Sequence, residues 1–327
     1  MQKKRTAVRC TAGIFTAMLA IAAPSYAADW PDRPVRIVVP YPPGGNVDVA
    51  ARIIAPGLHK AFGQPFIVEN KPGAGGMIAG EQVARAEADG YTLFMAANGP
   101  LLFSPLIFGQ TPYKWDQDFE PISAVSYTPL ILQVHPSLPV KNVADLIALA
   151  KSDPGKLNMA SPGAGTTNHL VSELLQSQTQ SQWTTVQYRG NAPATQDLLG
   201  GQVDFNFDQI SVALPFIESG KTVALAVTTK ERLPSLPNVP TFAEAGVPNM
   251  DAATFTGLLA PKNTNANITQ KLSQALQKIL AQPEVIEKFK TLGAQAEGST
   301  PEAFTAYLRQ EDARWTPIIA GANIRAN

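Results

Sequence analysis

Two hydrophobic periods alternate along the chain. Short runs rich in valine, isoleucine and phenylalanine, bounded by glycine, proline or asparagine, read as strands. They are VRIVVP (35–40), FIVEN (66–70), TLFMAA (92–97), LILQVHP (130–136), LNMASP (157–162), TTVQYR (184–189), VDFNFD (203–208) and VALAVTT (223–229). Between them, 46–62, 76–88, 143–152, 166–178, 192–201 and 211–220 carry apolar positions at spacings near 3.6, the period of an amphipathic helix. The tail, over 267–282 and 300–315, is helical throughout, with Thr300 placed to cap a helix that begins at Pro301. Pro56 falls inside the first helical pattern and should kink or shorten it. Strands alternating with helices predict an α/β fold built on parallel sheet. No short repeat or low-complexity linker interrupts the pattern.

The pattern repeats at larger scale. VVPYPPGGNVDVAARI and NMASPGAGTTNHLVSEL are each strand, Gly/Pro loop, helix, about 120 residues apart. Two similar loops on separate α/β units suggest two lobes facing one another.

The first 27 residues stand outside this pattern. Lys3, Lys4, Arg5 and Arg9 precede a short apolar core, and Ser25-Tyr26-Ala27 is a small-x-small cleavage site. This is a secretory signal peptide (1–27), too short for a stable membrane span. The one cysteine, Cys10, leaves with it. The remaining chain therefore has no disulfide and must be stabilised by apolar burial. Without the signal's four basic residues, 22 Lys and Arg face 26 Asp and Glu, a net charge of −4. That balance argues against a nucleic-acid partner. An anionic ligand would be held by local dipoles, not by a net positive field.

The loops carry the chemistry. In YPPGGN, Gly44 and Gly45 let a ligand approach the main chain. The helix that follows offers free N–H groups and a partial positive charge. Together they form an anion site that needs no cationic side chain, with Asn46 or Asp48 available as cap. The phosphate lysine of a nucleotide loop is missing. In SPGAGTTNHL, Gly163 and Gly165 supply flexible backbone, and Thr166 and Thr167 supply hydroxyls, one of which could instead cap the helix. Such donor-rich loops suit a carboxylate, which has two acceptor oxygens. His169 follows on the same helix end. In GGQVDFNFDQIS, Phe205 and Phe207 alternate with Asn206 and Asp208, and Asp208 either faces the cleft or caps the next helix. A triad of Ser161, His169 and Asp208 would make a secreted hydrolase, but Ser161 sits on no nucleophile elbow. The three histidines, His59, His135 and His169, share no metal spacing. No motif asks for a metal or an organic cofactor. A third glycine-rich loop, VENKPGAGGMIAGE, shapes a turn through Gly73, Gly75 and Gly76, and its part in binding is open.

At these residues the chain closely resembles the Bug family, substrate-binding proteins of tripartite tricarboxylate transporters. The likeness runs through WPDRPVRIVVPYPPGGNVDVAARIIAPGL, GQPFIVENKPGAGGMIAGEQVARAEADGYTL, HPSLPVKNVADLIALAKSDPGKLN, YRGNAPATQDLLGGQVDFNFDQ and LLAPKNT, nearly the whole mature chain. The resemblance implies a two-lobed periplasmic binding protein of the type II class, with the ligand cleft between lobes. Lobe 1 would take 28–127 and 254–327, and lobe 2 would take 128–253, with crossings near 126–130 and 253–258. It implies a monomeric receptor, not an enzyme, that carries a small carboxylate to membrane transporter subunits or reports it to a sensor. The ligand set it implies is Tyr41, Pro43, Gly44, Gly45 and Asn46 of the first loop, Ser161, Gly163, Ala164, Gly165, Thr166 and Thr167 of the second, and Asp208; Asn98, His169 and Phe207 are further candidates from the residues themselves. Three departures from the family pattern stand out. The stretch after TLFM reads AANGPLLF, the pair before GLLAP is Phe255-Thr256, and Phe205 and Phe207 precede Asp208. Phenyl rings near the cleft would favour an aromatic dicarboxylate such as terephthalate, with citrate, succinate or adipate as the aliphatic alternative.

Overall fold

The structure, a computed structural model, describes residues 30–109 and 112–321. The signal peptide and Cys10 lie outside the described residues. In chain order the elements begin with β1 (Val35–Val39), α1 (Asn46–Phe62), β2 (Phe66–Asn70), α2 (Met77–Ala84) and β3 (Thr92–Ala97). A π turn over Gly99–Phe103, then α3 (Ser104–Ile107) and α4 (Trp115–Asp118), leads into β4 (Phe119–Val134). The second unit holds α5 (Val143–Ser152), β5 (Asn158–Ser161), α6 (Thr167–Thr179), β6 (Thr184–Gln187), α7 (Asn191–Leu199), β7 (Phe205–Gln209), α8 (Ile210–Glu218) and β8 (Val223–Val227). The chain then returns through β9 (Ala253–Pro261), α9 (Ala266–Leu280), α10 (Pro283–Thr291), β10 (Gln295–Ala296) and α11 (Pro301–Gly321). No helix among the described residues is long and apolar enough to cross a membrane.

Strand order is β2-β1-β3-β9-β4-β7-β5-β6, with β8 and β10 also paired to β4. The β1, β2 and β3 strands pair in parallel, as do β5, β6 and β7. Every pair involving β4 or β9 is antiparallel. The expected parallel sheet is thus two parallel units joined by antiparallel strands. The reason is β4, 16 residues long. Its residues from Phe119 to Pro129 pair with β9, and Leu130 to Val134 pair with β7 and β8. Only its second half, 130–136, reads as a strand in the sequence, and β9 is missed altogether. Pro121, Pro129 and the serines between them hide the first half. The serines and Pro129 are nonetheless buried and Pro121 is half-buried, because helices and strands from both ends of the chain cover them.

The inner parallel strands β1 and β3 are buried on both faces apart from Arg36, while the edge strands β2 and β6 are partly exposed. Val35, Ile37, Val39, Leu93 and Met95 enter one apolar cluster with α1, α9 and α10. Val38, Phe94 and Ala96 enter the other, with α2 and α11. Helix α1 continues through Pro56 and is not shortened there. That residue is exposed, so the carbonyl deprived of its donor sits on the solvent side. Thr300 caps α11 as expected, accepting from Ala303 N at 3.2 Å.

Candidate ligand cleft

The N-termini of α1, α6 and α7 converge on one cleft between the two units. Its empty space is about 710 Å³, open mouth included. The first loop contributes Tyr41, Pro43, Gly44, Gly45 and Asn46, and the second contributes Thr166 and Thr167. Those seven sequence-derived residues are brought together.

The first loop is held from behind. Gly45 is the N-cap of α1, and no side chain caps that helix. Asp48 instead reaches back: its carboxylate accepts from Gly44 N at 2.9 Å, Arg52 Nε at 3.0 Å and Asn70 Nδ2 at 2.9 Å. Asn70 Nδ2 also donates to Tyr41 O at 2.9 Å. Burial alone would raise the Asp48 carboxyl. The hydrogen bonds from Arg52, Gly44 and Asn70 overcome that and hold it below its ordinary range. Gly44, at φ 85°, takes the left-handed turn that lets its N–H point inward to Asp48. Asn46 is not a cap. Its Oδ1 accepts from Thr128 Oγ1 at 3.0 Å, across to β4, while its buried Nδ2 meets no protein acceptor. A ligand oxygen would satisfy that donor.

In the second loop the two threonines divide. Thr166 is the N-cap of α6: its Oγ1 donates to Gly163 O at 2.8 Å and accepts from His169 N at 3.3 Å. The Thr167 side chain makes neither bond and faces the cleft.

The other eight predicted residues lie off the cleft lining. Ser161 Oγ turns into its own loop, donating to Gly163 O at 3.2 Å. Gly163, Ala164 and Gly165 are not in the cleft walls, and Gly165 lies so close to Gly99 and Ser104 that a Cβ at Gly99 would sit 2.7 Å from the Gly165 carbonyl oxygen. His169 is buried, and its Nδ1 accepts from Gly165 N at 3.4 Å, which leaves the proton on Nε2, 3.7 Å from Glu173. Burial pushes its imidazole down to about 4, so it is neutral. Asn98 is fully buried beside β9, accepting from Phe255 N at 2.9 Å and donating to Ala253 O at 3.3 Å. Phe207 is also fully buried and stacks on Phe242 at 5.8 Å. Asp208 lies one layer behind the cleft, accepting from Asn191, Gln209 N, Thr195 and Asn206. Burial pushes its carboxyl up to about 7 against those four donors. Ser161, His169 and Asp208 make no hydrogen bond to one another, so the triad geometry is absent.

The phenyl rings expected near the ligand are core residues. Phe205 packs edge-on against Trp183, and Phe255 packs against Phe304 and Tyr307. No phenylalanine lines the cleft among the described residues.

Sequence reasoning missed Asn168, Arg189, Asn191, Gln209 and Thr254, all of which line it. The signal for the third helix end was present in RGNAP: a glycine, then proline within the first turn. Gly190 caps α7 at φ 119°, again with no side-chain cap, so the first N–H groups stay open to the cleft. Arg189 is the one charged side chain among the described residues lining it. Three helix N-termini and one guanidinium favour an anion there. The glycine loop after β2 packs elsewhere: Gly75 lies against Ser104 and Gly76 against Pro40 and Pro100.

Two α/β lobes, strands that cross between them, and an anion-ready cleft at the junction define a solute-binding protein of the periplasmic type. The comparisons agree. The model of the tripartite tricarboxylate transporter family receptor matches residues 50–324. Protein BugT of Bordetella pertussis is 36% identical, covering 96% of this chain and 97% of its own. An R. palustris protein solved with adipate is 36% identical with a TM-score of 0.87, covering 91% of this chain and 99% of its own. MatC from Rhodopseudomonas palustris with bound malate is 34% identical with a TM-score of 0.84, covering 89% and 100%. The chain belongs to the tripartite tricarboxylate transporter family receptors, the Bug proteins among them.

Proposed function

We propose that the chain is a periplasmic, non-catalytic receptor that captures a small aliphatic dicarboxylate and delivers it to the membrane subunits of its transporter. One observation supports this reading above the others: three helix N-termini and Arg189 meet at a cleft with no phenylalanine in its walls. The helix ends suit carboxylate oxygens. Val47, Ala97 and the prolines around them suit a short methylene chain. With Phe205, Phe207 and Phe255 in the core, the argument for an aromatic acid loses its rings, and the aliphatic alternative takes its place. The relatives solved with adipate and malate accord with it. Ligand bridging both lobes shifts the molecule toward its closed form, the form the membrane subunits would recognise.

The test is a thermal-shift panel of succinate, malate, adipate, citrate and terephthalate on the mature protein. A bound acid at 100 times its Kd should add about 2.7 kcal/mol of stability. A clear shift with terephthalate and none with the aliphatic acids would overturn the assignment.

A further inference from the structure

Asn191 is held in one orientation from behind. Its Nδ2 donates to Asp208 Oδ1 at 2.6 Å and to Gln209 Oε1 at 2.9 Å, which uses both amide protons. Gln209 is fixed in turn. Its Nε2 donates to Asn168 Oδ1 at 2.8 Å and to Thr254 Oγ1 at 3.0 Å, and Asn168 Nδ2 is anchored on Phe207 O at 2.7 Å. Reversing the Asn191 amide would set its oxygen against the Asp208 carboxylate and the Gln209 carbonyl, acceptor against acceptor. The network therefore assigns the amide, and the carbonyl oxygen is the atom left for the cleft. That oxygen faces the first loop: a Cβ built on Gly45 would lie 3.8 Å from it.

We propose that Asn191 Oδ1 selects, among dicarboxylates, those carrying a hydrogen-bond donor beside a carboxylate, the 2-hydroxy dicarboxylates. Asp208 is the positioning residue that aims it and does not touch the ligand. The proposal rests on the dicarboxylate reading above. The helix N–H groups, Asn46 Nδ2 and Arg189 can only donate, and together with the Thr167 hydroxyl they take the carboxylates. The Asn191 oxygen, by contrast, can only accept, since both its amide protons are spent on Asp208 and Gln209. A hydroxyl can donate to it, whereas a plain dicarboxylate presents only methylenes or a repelling oxygen.

The test is calorimetric titration of the mature protein with matched pairs, malate against succinate and 2-hydroxyadipate against adipate, both enantiomers of each hydroxy acid. The wild type should bind the hydroxylated member of at least one pair about tenfold more tightly. Asn191→Ala should bring that ratio to within about threefold. Asp208→Ala should do the same by releasing the amide, while Asp208→Asn, which keeps an oxygen for Asn191, should restore the preference. Equal affinity within both pairs in the wild type overturns the proposal alone; failure of every dicarboxylate to bind overturns the class reading and this with it. An unchanged ratio in folded Asp208→Ala removes Asp208 from its role. Should that variant not fold, Asn191→Ala decides, and an unchanged ratio there is equally fatal.

Discussion

Thr166 and Thr167 are neighbours of the same type with different tasks. Thr166 closes the α6 end on Gly163 O and His169 N, and Thr167 faces the cleft. Thr166→Ala should therefore cost about 1 kcal/mol of stability, the worth of a cap. Thr167→Ala should leave stability nearly unchanged and weaken the dicarboxylate by about 1.5–3 kcal/mol, roughly ten- to a hundredfold. Chemical denaturation and titration of the two variants separate the effects. A swap of the two outcomes would show that the cap is misassigned. The sequence made it legible that one of the pair caps the helix, since both stand at a helix start. Which one it is depends on a hydroxyl's reach to Gly163 O, and spacing does not encode that. Phe205 and Phe207 pose the same difficulty. Their alternation with Asn206 and Asp208 was plain, but the face that becomes core is set by Trp183 and Phe242, far away in the chain. Asn46, by contrast, lines the cleft but does not cap α1, its oxygen accepting from Thr128 instead.

Strand β4 shows where legibility ends at the scale of an element. Its second half is an ordinary apolar run, while its first half is broken by Pro121 and Pro129 and is stabilised by pairing with β9. Pairing partners more than a hundred residues away leave no local trace. Strand β9 is further braced by Asn98, which follows β3. Its Oδ1 accepts from Phe255 N, and its Nδ2 donates to Ala253 O and, at 3.4 Å, to Glu311 of α11. The returning strand is thus tied to the first lobe and to the last helix through one amide. Asn98→Ala would leave the buried Phe255 N–H and the Glu311 carboxylate short of a partner. It should cost about 1–3 kcal/mol of unfolding free energy, with little change in the intrinsic contacts to the ligand. Urea denaturation measures the first and titration the second. Full stability with abolished binding would return Asn98 to the candidate ligand set.

The molecule as a whole carries buried ionisable groups that oppose one another in acid. Burial lowers His169 to about 4, whereas an unfolded histidine protonates near 6.5. The unfolded chain therefore takes up a proton first, and stability from this group is lost as pH falls from 6.5 toward 4. Burial raises Asp208 to about 7, against 3.8 when exposed. Here the folded chain takes up the proton first, so this group's contribution grows as pH falls from 7 toward 4. Glu173 and Glu311 are raised by burial as well and act in the same sense as Asp208. Asp48, held low by Arg52, Gly44 and Asn70, gives up its contribution only below the ordinary aspartate range. Removing one side of this opposition exposes the other. Asp208→Asn keeps the shape of the site and deletes its titration. Between pH 7 and 4 the melting temperature of that variant should fall relative to the wild type, the gap widening with each step down. Scanning calorimetry of both proteins at pH 7.5, 6.5, 5.5 and 4.5 reads the gap directly. Parallel profiles would mean that Asp208 stays ionised throughout, with its four donors outweighing burial. The predicted gap also fixes the pH for ligand work: above pH 7 Asp208 is a carboxylate, and the orientation of Asn191 is then set by charge as well as by geometry.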